Sequence, residues 1–536
     1  MTTREKILSF INEMDYLNNE HVLGILFYGS YLTGFNTEKS DIDLHVIFDD
    51  EDDEHLIRGN KVIDGTRIEY FEKPLGEIYQ IIDEDYQSQN NAMVSIIGNG
   101  KIIYDKDENI KRLQEYVLTK FSNKLPPLSS DESKEQVSII NNRMEKLKKY
   151  AEIDSPFFEH LYHLTIEKIR RFYHRTMGFP SIEASKGFRL YKDSKYREAF
   201  SIEQIPEQEF INMYFASITS NNLSKQEKYR LLNDLYEYAK RNITLGNEYR
   251  IPIKSRNENF SCPIIYPQFI SDEKQKEIPT DTLKKILKFI KEMNYLCDEH
   301  CLGVIVCGSS LTGFNTKDSD IDLQVIFDND RKQLIRGSKI IDGVKIEYFE
   351  KPIDDIYLEI ENGFLNQNNA SLSIIGKGSI VFEKDRRIRQ LQQHALNKFN
   401  DSMPGLTEEE SKEYVSIINN RMEKLESLAK DNDQNFDHYC HLTIDRIRKF
   451  YHKKKGISKI PTSKVYRIYT DEEYRKSVYK ENPDQEFIDM YLNLITSNCE
   501  NKLQRFNQVR EFYDYATKDI TLGNDYRVLI KRRTNR

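Results

Sequence analysis

The spacing of hydrophobic and polar residues changes halfway through each half of the chain. From Leu23 to about Tyr104, short apolar runs are separated by turn residues, which is typical of strands and helices packed around a sheet. The dipeptide Asp64-Gly65 joins two such runs, and Asp342-Gly343 does the same later in the chain. Because Asp-Gly suits the two-residue turn of a hairpin, we expect a β-hairpin at each point.

From about Glu132 the apolar residues recur every three or four positions. Val137, Ile140, Met144 and Leu147 begin this pattern, which predicts amphipathic helices. The expected fold class is therefore α/β plus α, in which a mixed-sheet domain is followed by a helical bundle.

This arrangement occurs twice. Residues 137–147 (VSIINNRMEKL) recur unchanged as residues 415–425, and a period this long predicts a duplicated multidomain unit. We expect sheet domains over residues 1–115 and 281–393 and bundles over 116–250 and 394–536. Residues 251–280, which contain four prolines, are expected to link the two modules.

Composition narrows the class of protein. Hydrophobic residues make up 38% and charged residues 31%, and no run of eighteen apolar residues could span a membrane. The N-terminus lacks the pattern of a secretory signal, so we expect a cytoplasmic location. A net charge of -8 disfavours a surface built for long nucleic acids. All six cysteines lie in the linker or the second module, which favours reduced thiols over a disulfide framework.

Two aspartates share one predicted strand of each module. In residues 40–48 (SDIDLHVIF) the apolar residues alternate, so Asp41 and Asp43 point to the same face of the strand. Neighbouring carboxylates repel each other unless a cation lies between them, and the pair therefore predicts a divalent-metal site. Asp320 and Asp322 repeat the arrangement.

A third acid lies in the outgoing strand of each hairpin. Glu69 and its counterpart Glu347 are flanked by apolar residues, and strand parity favours Glu69 over Glu72 because the two point to opposite faces. Three carboxylates on adjacent strands can hold two Mg²⁺ ions, which draw an attacking oxygen toward the α-phosphate of a nucleotide. We expect all six acids of the two modules to be metal ligands and catalytic residues.

A Gly-Ser pair precedes each Asp-x-Asp strand, as Gly29-Ser30 and Gly308-Ser309. The glycine lets the backbone approach a triphosphate, and the serine offers a hydroxyl and an N–H group at a predicted helix start. Gly-Ser, Asp-x-Asp and a later acid together resemble the DNA polymerase beta-like nucleotidyltransferases. The resemblance implies a transferase that uses ATP or another nucleoside triphosphate. Ser40 and Ser319, which precede the aspartate pairs, are assigned to the nucleotide site as well.

Each whole module is similar to aminoglycoside and kanamycin nucleotidyltransferases. The segments that carry this similarity are residues 163–170 with Ser185-Lys186, and residues 441–448 with Ser463-Lys464. The resemblance implies that Lys186 and Lys464 lie near the nucleotide. It also implies active sites at a contact between two modules, so we expect a monomer whose modules pair as an intramolecular pseudo-dimer. In such a pair, each bundle would help to wall the other module's cleft.

The acceptor is not determined by these motifs. A hydroxyl of a small molecule or a protein is the favoured acceptor, and the 3′ end of an RNA such as tRNA is the alternative. The basic segments 168–175 and 453–455 favour RNA, whereas the acidic balance opposes it. A further alternative is a nucleotide-binding module with a ribonuclease-like bundle, for which Arg446 and His452 have a suitable spacing.

Several histidines also recur between the modules. We expect them to pack in the bundle or face the acceptor rather than to bind metal. They are His160, His163 and His174, repeated as His438, His441 and His452. His45 shares the acidic strand face, but Gln324 replaces it in the second module, so the common chemistry does not require it.

Overall fold

The computed structural model describes most of the chain. The described residues are 1–37, 40–50, 56–122, 124–200, 202, 204–255, 262, 277–308, 311, 320–479, 481–497, 499 and 501–530. All structural statements below concern these residues.

The first module begins with a sheet domain and continues into a bundle. The sheet domain contains α1 (Thr3–Glu13), β1 (Val22–Tyr28), α2 (Ser30–Thr33), β2 (Ile42–Phe48), β3 (Ile57–Ile63), β4 (Thr66–Pro74), α3 (Leu75–Gln87), a π-helical turn (Val94–Gly98), β5 (Lys101–Asp105) and α4 (Asn109–Phe121). The bundle contains α5 (Ser130–Glu152), α6 (Phe158–Met177), α7 (Ala184–Lys192), α8 (Ser194–Ala199), α9 (Gln208–Ile218) and α10 (Lys225–Ala239), and strand β6 (Tyr249–Ile253) follows it.

The second module repeats this order. Its sheet domain contains α11 (Thr280–Glu292), β7 (Cys301–Cys307), β8 (Ile321–Phe327), β9 (Leu334–Ile341), β10 (Val344–Pro352), α12 (Ile353–Leu365), α13 (Ala370–Gly376), β11 (Ser379–Glu383) and α14 (Arg387–Asn400). Its bundle contains α15 (Glu408–Lys430), α16 (Phe436–Lys454), α17 (Thr462–Thr470), α18 (Glu472–Val478), α19 (Gln485–Thr496) and α20 (Lys502–Thr517), and β12 (Tyr526–Leu529) ends the described chain. The predicted fold class is confirmed.

Local sequence explains where the elements begin and turn. Asp64 and Gly65 both have positive φ angles, 45° and 69°, as a two-residue hairpin turn between β3 and β4 requires. The equivalent turn between β9 and β10 confirms the second predicted hairpin. Helix α5 begins at a capping box, in which Ser129 and Glu132 satisfy each other's backbone N–H groups.

Each sheet has six strands and contains one strand from the other module. The first sheet has the order β12-β3-β4-β2-β1-β5, and the second has β6-β9-β10-β8-β7-β11. Strand β6 leaves the first bundle and pairs with β9, whereas β12 leaves the second bundle and pairs with β3. The modules therefore exchange their last strands. The segment that we expected to be a linker from residue 251 accordingly begins with the last residues of β6, because these find backbone partners in the second sheet.

The two bundles share one hydrophobic core, whereas each sheet has its own clusters of buried residues. Stacked rings of Phe157 and Tyr466, with centroids 5.4 Å apart, are one contact that crosses between the modules. The predicted apolar positions of α5, including Val137, Ile140 and Leu147, are buried in this shared core. The bundles thus hold the two sheet domains in a fixed relation.

Four of the recurring histidines meet where α6 packs against α16. Nδ1 of His160 lies 3.1 Å from Nδ1 of His441, and Nδ1 of His438 lies 3.4 Å from Nδ1 of His163. All four rings are buried. Burial lowers the pKa of His160 to about 3 and that of His438 to about 4, since the charged form would lose its hydration. These histidines pack inside the bundle, as expected, rather than line the strands that carry the aspartates.

None of the described helices combines the length and the apolar content needed to cross a bilayer. All six cysteines are free thiols, including Cys297 and Cys301.

Candidate active site

The three predicted acids of each module lie together on parallel neighbouring strands. Strands β2 and β4 are parallel, and their register sets Asp43 beside Glu69. The same pairing sets Asp322 beside Glu347 on β8 and β10. Side chains directly opposite each other in a sheet point to the same face, so the register brings these carboxylates together.

Gly29 and Gly308 approach the same aspartates closely. Each lies directly before the site with a positive φ, 83° and 79° respectively. A Cβ atom built on Gly29 would lie 1.9 Å from Oδ2 of Asp43, and one on Gly308 would lie 2.2 Å from Oδ2 of Asp322. Only glycine fits here, both for its backbone conformation and for its missing side chain.

Ser30 is the first residue of helix α2, where the sequence predicted a helix start. Ser40 lies one residue before Asp41, and its Oγ accepts a hydrogen bond of 2.8 Å from the backbone N–H of Thr37. Ser309 and Ser319, their predicted counterparts, lie outside the described residues.

The electrostatics of the aspartates suit a cation. Burial, then Glu69 and Asp41, hold the pKa of Asp43 well above its usual range. Burial and Glu347 likewise raise the pKa of Asp322 to about 7. In each case a bundle lysine opposes the shift, Lys186 for Asp43 and Lys464 for Asp322. The predicted lysines therefore lie close enough to act on the carboxylates of their own modules.

Basic side chains of the sheets lie among the acids. Nε and Nη2 of Arg67 donate to Asp41 at 2.6 and 2.7 Å, and Nε of Arg58 donates to Glu69 at 2.9 Å. In the second module, Nζ of Lys345 donates to Glu347 at 2.7 Å and to Asp320 at 3.2 Å. These ion pairs offset the repulsion that the sequence predicted between the acids.

The acids do not form a compact cage for a single ion. Among the described residues, the one group of three potential ligands whose donor atoms lie within 4.8 Å of one another is His300, Asp328 and Asp330. That group flanks the opposite ends of β7 and β8 from Asp322. Two divalent cations would not need all three acids so close together, because the acids of one site could be shared between them. The oxygen-rich donor set, in which burial raises the pKa of all four aspartates, fits divalent cations of the magnesium type.

Each site also receives side chains from the other module's bundle. Nη1 and Nη2 of Arg67 donate to Glu423 of α15 at 2.7 and 2.8 Å. In the second site, Nδ2 of Asn142 from α5 lies 3.4 Å from Oε1 of Glu347. Lys146, one turn further along α5, donates to the backbone carbonyl of Ser463, next to Lys464. The first helix of each bundle thus faces the other module's carboxylates.

Sequence reasoning missed these cross-module residues, although a signal was present. Asn142, Lys146 and Glu423 all belong to the eleven-residue segment that is unchanged between the modules. By itself, the repetition of this segment indicates only that the module is duplicated. Core packing alone does not require identical polar residues, so their retention pointed to a shared surface near the chemistry.

Two other acidic or basic candidates have structural roles. Glu72 is fully buried, accepts a hydrogen bond of 2.8 Å from the Tyr16 hydroxyl and pairs with Arg527 of the exchanged strand. His45 is also buried, and neither of its ring nitrogens has a hydrogen-bond partner in the part of the chain that the structure describes. Burial lowers its pKa to about 3, so it remains neutral. Neither residue lies in a position to replace Glu69 or the aspartates.

The histidines that prompted the ribonuclease alternative are engaged inside the bundles. Nε2 of His174 lies 2.6 Å from the Tyr191 hydroxyl, and Nδ1 lies 2.7 Å from the carbonyl of Pro180. His452 makes the equivalent contacts with Tyr469 and Ser458. Burial lowers the pKa of each to about 3. This environment gives no support to a role in acid-base catalysis.

Comparison with known families follows the same division of the chain. Residues 12–109 match the family model described as polymerase beta, nucleotidyltransferase, and residues 283–392 match the model described as nucleotidyltransferase domain. The chain carries two nucleotidyltransferase domains in tandem. Both matched ranges contain the Gly-Ser, Asp-x-Asp and glutamate positions described above.

One similar protein of known structure is a nucleotidyltransferase-like protein from Exiguobacterium sibiricum 255-15. It is 13% identical in sequence, and the match covers 44% of this chain and 74% of that chain with a TM-score of 0.28. No curated protein matches the chain. The narrower resemblance to aminoglycoside nucleotidyltransferases is not confirmed and stays a prediction.

Proposed function

We propose that each module transfers a nucleoside monophosphate, AMP from ATP in the first instance, to a hydroxyl of a small molecule or a protein. The acceptor oxygen would form a bond to the α-phosphorus while the bond to the β-phosphate breaks, so that pyrophosphate leaves. The observation that carries this proposal is the pairing of an Asp-x-Asp strand with a glutamate on the parallel neighbour, behind a Gly-Ser turn, in both modules.

The chain's own residues have distinct roles in this proposal. Gly29 and Ser30 offer backbone N–H groups and a hydroxyl to the triphosphate. Lys186 and Lys464 supply positive charge close to the aspartates, where phosphate oxygens would lie. Glu69 and Glu347 would complete the ligand set or accept the proton of the attacking hydroxyl. Divalent ions, when bound, would be held by these acids and would offset the charge of the triphosphate.

When a cation binds, Arg67 and Lys345 must give up some of their hydrogen bonds to the acids. Each donates to an aspartate that would become a metal ligand. A bound cation would compete with these side chains, which are then free to turn toward the phosphates. We expect ATP with Mg²⁺ to raise the melting temperature of the chain, since the nucleotide binds only the folded state.

Labelled nucleotides test the transfer directly. The chain is incubated with each of the four labelled nucleoside triphosphates, Mg²⁺ and a cell extract, and the label is followed by size. Label in the small-molecule or protein fraction supports the proposal, and label on RNA supports 3′-end addition instead. The control is the variant with Asp41, Asp43, Asp320 and Asp322 all changed to Asn. Transfer that survives in this variant contradicts the mechanism.

We also propose that the modules work as an intramolecular pseudo-dimer, with each site completed by the other module. The exchanged strands, the shared bundle core and the contacts of Glu423 and Asn142 support this proposal. Separate expression of residues 1–255 and 280–536 tests it. We expect each half alone to self-associate or lose activity, and the mixed halves to recover it. Halves that are monomeric and fully active would rule the shared site out.

A further inference from the structure

A cavity in the second module is lined by several basic side chains and by no acidic residue. It has a volume of about 340 Å³ and lies between the end of α12 and the bundle of the second module. Five of its lining residues are cationic, and none is Asp or Glu. The cations are Arg446, Arg448, Lys449, Lys453 and Lys459. The proposed catalytic acids and lysines are not among the lining residues, so this cavity is distinct from the candidate active sites.

A buried acid beside the cavity pairs with two of these cations. Asp445 is buried and pairs with both Arg448 and Lys449, at 2.7 Å each. Lys453 donates a hydrogen bond of 2.8 Å to the hydroxyl of Tyr414. That hydroxyl is neutral and does not offset the charge of the lysine. Arg448 and Lys449 therefore share one carboxylate.

Arg446 is the most telling member of the group. Its Nε–H is buried and has no hydrogen-bond partner among the described residues. The Nε–H of Arg421, on the adjacent helix α15, is in the same condition. Burial and the charge of Arg421 lower the pKa of Arg446, whereas Tyr414, Glu183 and Asp445 oppose that shift. Two partly dehydrated guanidinium groups that repel each other would both be stabilised by an anion that contacts them.

The first module repeats the positive charges with different residues. Arg143, Lys168, Arg170, Arg171 and Arg175 correspond to Arg421, Arg446, Arg448, Lys449 and Lys453. Lysine and arginine are exchanged at three of these five positions, yet the charge is present at all of them. Burial and the charges of Arg143, Arg175 and Arg171 lower the pKa of Lys168 to about 8. The duplication has kept positive charge rather than particular side chains.

We propose that this cavity binds a small phosphate ester through its phosphate group. A phosphate dianion has three acceptor oxygens and matches several converging cations better than a carboxylate does. The cavity has a volume of about 340 Å³, which suits a small molecule. It lies between the sheet domain and the bundle of the second module. The site would bind its ligand independently of nucleotide transfer.

Binding of inorganic phosphate tests the proposal. The full chain is titrated by calorimetry in the presence of EDTA, with NaCl of equal ionic strength as the reference anion. We expect saturable binding of phosphate that NaCl does not reproduce. If chloride gives the same binding isotherm as phosphate, the effect is general screening and the site does not exist.

The paired variant Arg421→Gln with Arg446→Gln should lose at least one bound phosphate per chain, or bind it at least tenfold more weakly. Its melting temperature without phosphate should rise, because the mutual repulsion has gone. Lys430→Gln with Lys476→Gln removes the same charge from exposed positions and should leave binding unchanged. Unchanged binding in the first variant, or equal loss in the second, overturns the proposal.

Two further arms assign the ligand. Lys186→Gln with Lys464→Gln should keep phosphate binding, and loss of binding there would mean that phosphate occupies the active sites instead.

Should the paired arginine variant fold poorly, Lys453→Gln removes one charge at a partly exposed position. Binding as tight as in the wild type would then count against the site. Glycerol 3-phosphate should compete with phosphate. If a short single-stranded RNA binds more tightly through the same residues, the small-ligand assignment is wrong.

Discussion

Removal of residues 524–536 should weaken the sheet of the first module, although these residues end the second. The truncation deletes strand β12, which pairs with β3. Val528 is 1% exposed, and its burial contributes about 1.5 to 2 kcal/mol. Arg527 pairs with Glu72, which is fully buried and would keep Tyr16 as its hydrogen-bond partner among the described residues.

The free-energy cost of losing Arg527 can be judged from the burial of the ion pair that it forms. Removing one partner of a buried ion pair costs about 3 to 5 kcal/mol. Arg527 is about half exposed, so water already screens the pair, and about 2 kcal/mol is a better figure. Together with Val528, the local opening free energy of β3 should fall by about 4 kcal/mol. That corresponds to an increase of roughly a thousandfold in the opening equilibrium.

Hydrogen exchange followed by mass spectrometry measures this directly. Peptides that cover β3 should exchange faster in the truncated chain, while those that cover β9 should not change. The matched perturbation is Arg250→Gln with Ile251→Ala in β6, which should accelerate β9 and leave β3 alone. Faster exchange in β9 after the truncation, or no change in β3, would refute the strand exchange.

Three other results are expected. Asp41→Asn with Asp43→Asn should abolish label transfer by the first site without lowering the melting temperature, because it removes repelling charges; a less stable variant would show that the acids serve the fold. Gly29→Ala should inactivate the same site, since its Cβ would lie 1.9 Å from Asp43 in a conformation that costs about 1 to 2 kcal/mol, and wild-type transfer rates would contradict this. In the folded chain the pKa is about 3 for His160 and about 4 for His438, below the value in the unfolded chain. The free energy of unfolding should therefore decrease as the pH falls below about 6.5, by up to about 1.4 kcal/mol per pH unit for each histidine. Urea unfolding at pH 7 and pH 5 measures that loss, and His160→Asn should reduce it; equal stability at both values would exclude it.

Local chemistry made much of the site predictable from the sequence. The alternation of residues 40–48 determines which face of β2 carries Asp43, and the Asp64-Gly65 turn determines how β3 meets β4. Parity then separates Glu69 from Glu72 without any tertiary information. Each inference depends on neighbours within a few residues, where side-chain direction follows from backbone geometry.

The tertiary structure decided which module supplies each partner. Tyr249-Arg250 and Tyr526-Arg527 are identical pairs, so local pattern gives neither strand a preference between the two sheets. The bundles make the choice, because their shared core brings the end of each bundle to the edge of the opposite sheet. The contact of Arg67 with Glu423 follows from the same packing. The periodicity of the sequence predicts that a residue is buried or paired. In a duplicated chain, however, only the packing of the modules determines which module supplies the partner.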